Sequence, residues 1–325
     1  MATVYIDRKG IDLDHEAGVI VLRLDGVRTG TVPLGPVDRL VIRGARMIAV
    51  PLMAELWRRG ISLVVLGGRN GGVQTLVQGP VHGDASIRLR QYVLHQRPLE
   101  RAARARSLVL AKVTAQRRLL REGLQARPDA RKPLLDAIVT VEAIRTRLVE
   151  SSTEQSEVGA LTLDQLMGLE GAAAAAHFAG LAALFAPALG FTGRNRRPPR
   201  DPVNACLSLG YTLLHAEAVR EAHIVGLDPM LGVFHQPLAG RESLASDLVE
   251  PLRPRLDRYV WQLFRQEILR PTHFTKNDGA CLLGKAGRRS FYEGYERFVP
   301  PLRRWLRLAC RGFVRDLRAG PSGTQ

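Results

Sequence analysis

Residues 39–67 read RLVIRGARMIAVPLMAELWRRGISLVVLG, and this stretch decides the fold class. RLVIRG and SLVVLG are short β-branched runs, the signature of strands. Between them Val50–Arg59 has a proline near its start and a glycine at its stop, which predicts one helix. Working back, TVYID, GVIVLRL and GTVPL are further strand-type runs punctuated by Gly, Pro and Asp, and VQTLVQ follows. From Ser86 onward the texture changes to segments of period 3.6. They run from Ser86 to Gln96, Leu99 to Gln125, Pro133 to Val149, Leu163 to Phe185, Pro202 to Val225, Ser243 to Leu269 and Arg288 to Leu317. The expected architecture is a multidomain α+β chain with a β-rich unit over 1–80, a linker over 81–86 and a larger all-helical unit over 87–325.

The composition is globular, at 46% hydrophobic and 24% charged. Its departure from the average is a formal net charge of +16, from 47 Lys+Arg against 31 Asp+Glu. An excess of that size speaks of partners, and the usual partner is a polyanion. Residues 81–132 carry thirteen basic and four acidic groups, so this stretch holds +9 of the excess. It reads either as a solvated helix face or as a surface that tracks phosphates. No stretch approaches the ~20 apolar residues of a membrane helix. The N-terminus has no signal-peptide pattern, and three scattered cysteines form no CxxC pair. A cytoplasmic protein without membrane association is expected.

Three acid or histidine clusters stand out in the helical half. Glu170 lies between Gly168 and Gly171 on an alanine-rich segment, where a ligand or a neighbouring backbone can come close. It reads equally as a surface glutamate on a packing helix. His177 shares its face two turns on, ~10.5 Å away along the axis and too far to share one metal. His235 sits in GVFHQ on a loop, as a ligand or as an exposed loop histidine. Asp247 and Glu250 are spaced i,i+3 in SLASDLVEPLRP, a paired-carboxylate face that suits a hard divalent cation. The plainer reading is a Glu250–Arg253 surface pair, which Pro251 and Pro254 weaken. No HExxH, GxSxG, P-loop or EF-hand spacing is present. The run Gly67–Gly72 resembles a phosphate loop but has no helix after it, and His215 and His223 read as structural.

The order GLEG (168–171), DPVNACLSLGYTLL (201–214), GVFH (232–235), SLASDLVEPLRP (243–254) resembles the CRISPR-associated spacer-acquisition integrase family, CRISPR-associated protein one. VPLGPVDRLVIRG, AVPLMAELWRRGISLVVL, RLRQY at 88–92, AKVTAQRRLL at 111–120, RRPPRDPVNA at 196–205 and HFTKNDGACLLG at 273–284 carry the same resemblance. It implies a metal-dependent DNA endonuclease and integrase that joins DNA 3′-OH ends into a CRISPR array by transesterification. One Mg²⁺ or Mn²⁺ would be held by Glu170, His235 and Glu250, with Asp247 as a fourth, supporting acid in the catalytic set. It further implies duplex DNA, a homodimer through the β-rich unit, and a small companion CRISPR adaptation protein as partners. Candidate DNA contacts are Arg88, Arg90, Lys112, Arg117, Tyr211, Arg241 and Lys285, with Asn204 structural beside the site. A repair nuclease acting on branched DNA and a non-catalytic architectural protein remain as alternatives.

Overall fold

The computed structural model describes residues 2–67, 72–80, 82–151, 161–195 and 198–320. Most of the Gly67–Gly72 run, Val81 of the expected linker and the tail beyond Gly320 lie outside these residues. The six expected strand runs are strands: β1 (Ala2–Glu16), β2 (Val19–Leu24), β3 (Val27–Pro33), β4 (Val37–Ile48), β5 (Ser62–Gly67) and β6 (Gly72–Val77). They form one mixed sheet in the order β3-β2-β1-β4-β5-β6. β1, β2 and β3 are an antiparallel meander, whereas β4 runs parallel to both β1 and β5. A parallel neighbour needs a crossover, and α1 (Val50–Arg58) supplies it between β4 and β5.

Side chains alternate across the sheet. Ile6, Ile11, Leu13, Leu40, Ile42 and Leu63 face one way and close a core with Leu52 and Leu56 of α1. Val41, Val64 and Leu66 face the other way, into the core of the helical region. That burial on both faces is why β4 and β5 read as unbroken apolar runs. The sheet and the helices are also tied by polar contacts. Tyr5 stacks on Tyr292 at 4.3 Å and donates to Glu296 at 2.7 Å. Arg303 donates to Glu217, Glu296 and Thr3, while Arg39 pairs with the other oxygen of Glu217 at 2.7 Å.

The helical region comprises α2 (Ser86–His95), α3 (Pro98–Ala126), α4 (Arg131–Glu150), α5 (Leu163–Ala182), α6 (Pro202–Ile224), α7 (Ser243–Val249), α8 (Arg253–Arg265), α9 (Lys285–Phe298) and α10 (Pro300–Ala319). α6 is buried on nearly every side and forms the axis of this region. α5 packs against α3 and α4 so closely that a Cβ on Gly180 would lie 2.7 Å from Leu120 Cδ2 and 2.8 Å from Ala137 Cβ. Among the described residues no helix is long and apolar enough to cross a membrane.

Two expected helices are broken. The segment from Ser243 splits into α7, a 3-10 turn over Glu250–Leu252, and α8. Pro251 and Pro254 have no N–H for the ladder, so an unbroken α-helix cannot run through them. The segment expected from Arg288 to Leu317 begins at Lys285 and breaks before Pro300. Residues 274–283 fold as a hairpin, β7 (Phe274–Asn277) and β8 (Ala280–Leu283), where the sequence reading saw only an interruption. Asp278 and Gly279 both take positive φ, the demand of a two-residue type I′ turn.

Candidate metal centre and DNA-processing site

Four separate segments converge on a cavity of about 150 Å³, whose lining includes Lys112, Glu170, His235, Arg241 and Glu250. Thr162 starts α5 with a reciprocal capping box to Gln165, which sets the helix on which Glu170 lies. Neither Gly168 nor Gly171 has an atom within 4 Å of where a Cβ would stand, so the helix is bare beside the carboxylate. Glu250 enters from the 3-10 turn and is buried.

His235 comes from the loop between α6 and α7, and that loop is fixed from three directions. Gln91 of α2 donates to the carbonyls of Asp228 and Leu231 and accepts from the Asp228 amide. Arg101 of α3 reaches the Val233 carbonyl and the Gln236 side chain. Asp247, fully buried, accepts from the amides of Val233 at 2.7 Å, Phe234 at 2.9 Å and His235 at 3.0 Å, and lies 2.6 Å from His235 Nδ1. Gly232 permits this approach, because a Cβ there would lie 2.6 Å from an Asp247 oxygen. Asp247 is thus saturated from behind the imidazole and does not line the cavity. A carboxylate that holds Nδ1 leaves Nε2 as the nitrogen for a ligand.

The electrostatics are dominated by cations pressed against the two glutamates. The Lys112 ammonium contacts both Glu170 and Glu250, at 2.5 Å from the latter, and Arg253 Nε lies 3.0 Å from the other Glu250 oxygen. Burial pushes the Glu250 carboxyl up, but Arg253 and Lys112 outweigh it and hold the group down at about 2. Among the described residues no trio of acidic, histidine or cysteine side chains is drawn up around one point. The donor chemistry nevertheless fits a hard divalent ion: two carboxylates already converge on one cation, and the third group is an oriented imidazole.

A second buried cluster also lines the cavity. His177 Nε2 lies 2.9 Å from Asp257, which also accepts from the Tyr211 hydroxyl. Arg253 and Arg194 lie over the Tyr211 ring at 4.8 and 5.4 Å. Burial and the neighbouring Asp257 raise the Tyr211 hydroxyl well above its ordinary value. Tyr211, expected against DNA, is buried among these groups and lines the cavity. Asn204 is structural: it bonds to Asp201, Gly193, Arg194 and Asn195 at the start of α6.

The remaining expected DNA contacts scatter. Lys112 is buried in the cavity and not laid along a surface. Arg117 pairs with Glu142, and Arg90 donates to the Leu317 and Arg318 carbonyls at the end of α10. Arg88 is half-buried on α2, Arg241 lines the cavity, and Lys285 lies in another crevice with Lys9, Arg43 and Arg288. The exposed cations of the basic stretch without an ion-pair partner among the described residues include Arg118, Arg121, Arg131 and Lys132. Sequence reasoning missed Arg101, Gln91 and Asp257. Lys112 had a visible signal, since Ala105, Val109, Lys112, Gln116 and Leu120 share the buried face of α3.

A mixed sheet docked on a helical region, with an acid–imidazole cavity walled by arginines, defines an α+β protein whose site suits a cation and a phosphate together. The family model described as CRISPR associated protein Cas1 matches residues 4–297, and the chain belongs to that family. A curated relative, CRISPR-associated endonuclease Cas1 1 of Thermodesulfovibrio yellowstonii, is 37% identical over 98% of this chain and 97% of its own. A solved CAS1 protein from Thermotoga maritima superposes with a TM-score of 0.83 at 20% identity, covering 100% of both chains. A casposase bound to its integration product shares the fold with a TM-score of 0.82 at 18% identity, over 100% of this chain and 93% of that one.

Proposed function

We propose that this chain is a metal-dependent DNA endonuclease and integrase that joins the 3′-OH ends of short duplexes into a CRISPR array by transesterification. The observation that carries the reading is the convergence of Glu170, Glu250 and His235 on one cavity, within a chain that belongs to the Cas1 family. Glu170, Glu250 and His235 would hold the Mg²⁺ or Mn²⁺, and Asp247 would keep the imidazole in the tautomer that offers Nε2. When bound, such an ion supplies Lewis-acid stabilisation of charge on a phosphoryl oxygen. Arg253, Arg194 and Arg241 make the rest of the cavity cationic, so a phosphodiester entering it meets opposite charge. The bare flank of α5 at Gly168 and Gly171 gives a DNA backbone room to reach Glu170. Backbone contacts of this kind position a duplex without reading its sequence.

The same reading assigns Arg118, Arg121, Arg131 and Lys132 to duplex binding, and includes a small companion CRISPR adaptation protein as partner. Homodimerisation through the sheet is supported by the exposed Val27, Met47, Val50 and Trp57 in that part of the chain. Action in the cytoplasm is supported by Cys206, Cys281 and Cys310, all free and buried. The test is strand joining of a 3′-OH duplex into a target with Mn²⁺ or Mg²⁺. Glu170→Ala, His235→Ala and Glu250→Ala should each lose joining while still shifting duplex DNA in a binding assay. Joining that persists in all three variants, or in EDTA, refutes the reading and leaves a DNA-binding protein without chemistry.

A further inference from the structure

Lys112 is the least expected member of the cavity. Its ammonium is buried on α3 and contacts both carboxylates that the proposed function assigns to a metal ion. One position between two carboxylates cannot hold an ammonium and a divalent ion together, because the two cations repel at contact distance. Four residues on, and therefore on the same face of α3, Gln116 also lines the cavity. Its side-chain oxygen is buried and has no hydrogen-bond partner among the described residues, although Gln116 is only 1% exposed. A buried acceptor without a donor is costly and rare in a folded protein. Lys112 therefore has one acceptor pair that it occupies and a further acceptor, one helical turn away, that stands vacant.

From this arrangement we infer that Lys112 is a displaceable resident cation. It pairs Glu170 with Glu250 until a divalent ion takes the position between them, and then moves toward the Gln116 oxygen while staying in the cavity. The inference rests on the metal-binding reading above and extends it. The resident ammonium lowers the apparent affinity for the divalent ion, since entry requires its removal. It also keeps two carboxylates from facing each other unpaired, and leaves a positive group beside any phosphate that arrives with the ion.

Two sets of measurements, the first on Lys112→Met, test this without strand joining. Mn²⁺ binding by titration calorimetry should be at least tenfold tighter in Lys112→Met than in the natural chain. In EDTA the same variant should melt several degrees lower, and saturating Mn²⁺ should restore most of that loss. A second measurement uses the unaltered protein, so it holds even if the variant fails to fold. Acetylation by an N-hydroxysuccinimide ester, mapped by peptide mass spectrometry, should rise severalfold at Lys112 on saturation with Mn²⁺. Lys9, Lys132, Lys276 and Lys285 should not change and serve as internal references. Mn²⁺ binding in Lys112→Met that is equal or weaker, or unchanged Lys112 acetylation in the natural protein, overturns the inference alone. An absence of saturable Mn²⁺ binding in either protein overturns the metal reading, and the inference with it.

Discussion

The substitution Asp247→Asn removes one charge and adds two hydrogens without changing the volume of the side chain. Asp247 is fully buried and faces four donors, three backbone amides between 2.7 and 3.0 Å and His235 Nδ1 at 2.6 Å. One of its oxygens takes Val233 and Phe234, and the other takes the amide and Nδ1 of His235. An asparagine offers one oxygen and one NH₂, so in either orientation two donors face donors. Two hydrogen bonds to a charged acceptor, at about 1.5–3 kcal/mol each, are lost. The loop relaxes in part, which sets the expected cost at about 3 kcal/mol. For a chain of this size that corresponds to a melting-temperature drop of about 4 °C. Hydrogen exchange should localise the loss, with faster exchange at the amides of Val233, Phe234 and His235. Mn²⁺ affinity should fall by about 10–100-fold, since the imidazole loses the group that orients it. An Asp247→Asn protein that melts within a degree of the natural chain and binds Mn²⁺ equally well would refute the placement of Asp247 as the support of His235.

The acid limb of the stability curve should report on Glu250. Its folded pKa of about 2 lies below the ordinary 4.5, so its contribution is complete above about pH 4.5 and fades as pH falls toward 2. The shift is worth about 3 kcal/mol; Glu250→Gln should flatten urea-denaturation stability across that window, and an unchanged slope contradicts the assignment. Gly171→Ala should stabilise α5 by up to about 1 kcal/mol, because the position is helical and open. Gly171→Leu should melt like the natural chain but lose at least tenfold in joining rate, and equal joining shows that no DNA passes there. Arg303→Met strips a cation from buried Glu217 and from Glu296, and a loss of about 3–5 kcal/mol is expected in urea denaturation. A loss under 1 kcal/mol would show that Arg39 and Tyr5 alone satisfy those carboxylates.

What could be read in advance followed the strength of the local signal. The strands β1 to β6 were legible because their apolar runs are short and Gly, Pro or Asp separates them. The parallel pairing of β4 with β1 was not, since register across a long connection leaves no trace in either strand. The hairpin over 274–283 was missed although Asp278-Gly279 is a strong turn signal, because the adjoining glycines and prolines read as an interruption. The convergence of Glu170, His235 and Glu250 depends on loop anchoring by Gln91, Arg101 and Asp247, which no spacing rule contains. Lys112 and Tyr211 show the reverse case. Each has a side chain that usually faces water or ligand, and each lies on a buried helix face whose periodicity was available. Net charge also says nothing of internal pairing: seven of the thirteen cations between 81 and 132 are engaged with groups of the protein itself.

The break at Pro251 has a consequence for how such a site can change over time. Asp247 and Glu250 stay on one bonded turn, since the Glu250 N–H donates to the Asp247 carbonyl, and the chain breaks only after them. The pair thus faces the histidine loop through Asp247 and Lys112 of α3 through Glu250, while α8 takes its own direction. Changes in packing can then accumulate around Leu256 and Gly210, where α8 meets α6, beyond the turn that carries the two acids. Two prolines that look like defects in a helix thus act as a joint between the turn that bears both acids and the helix that follows it.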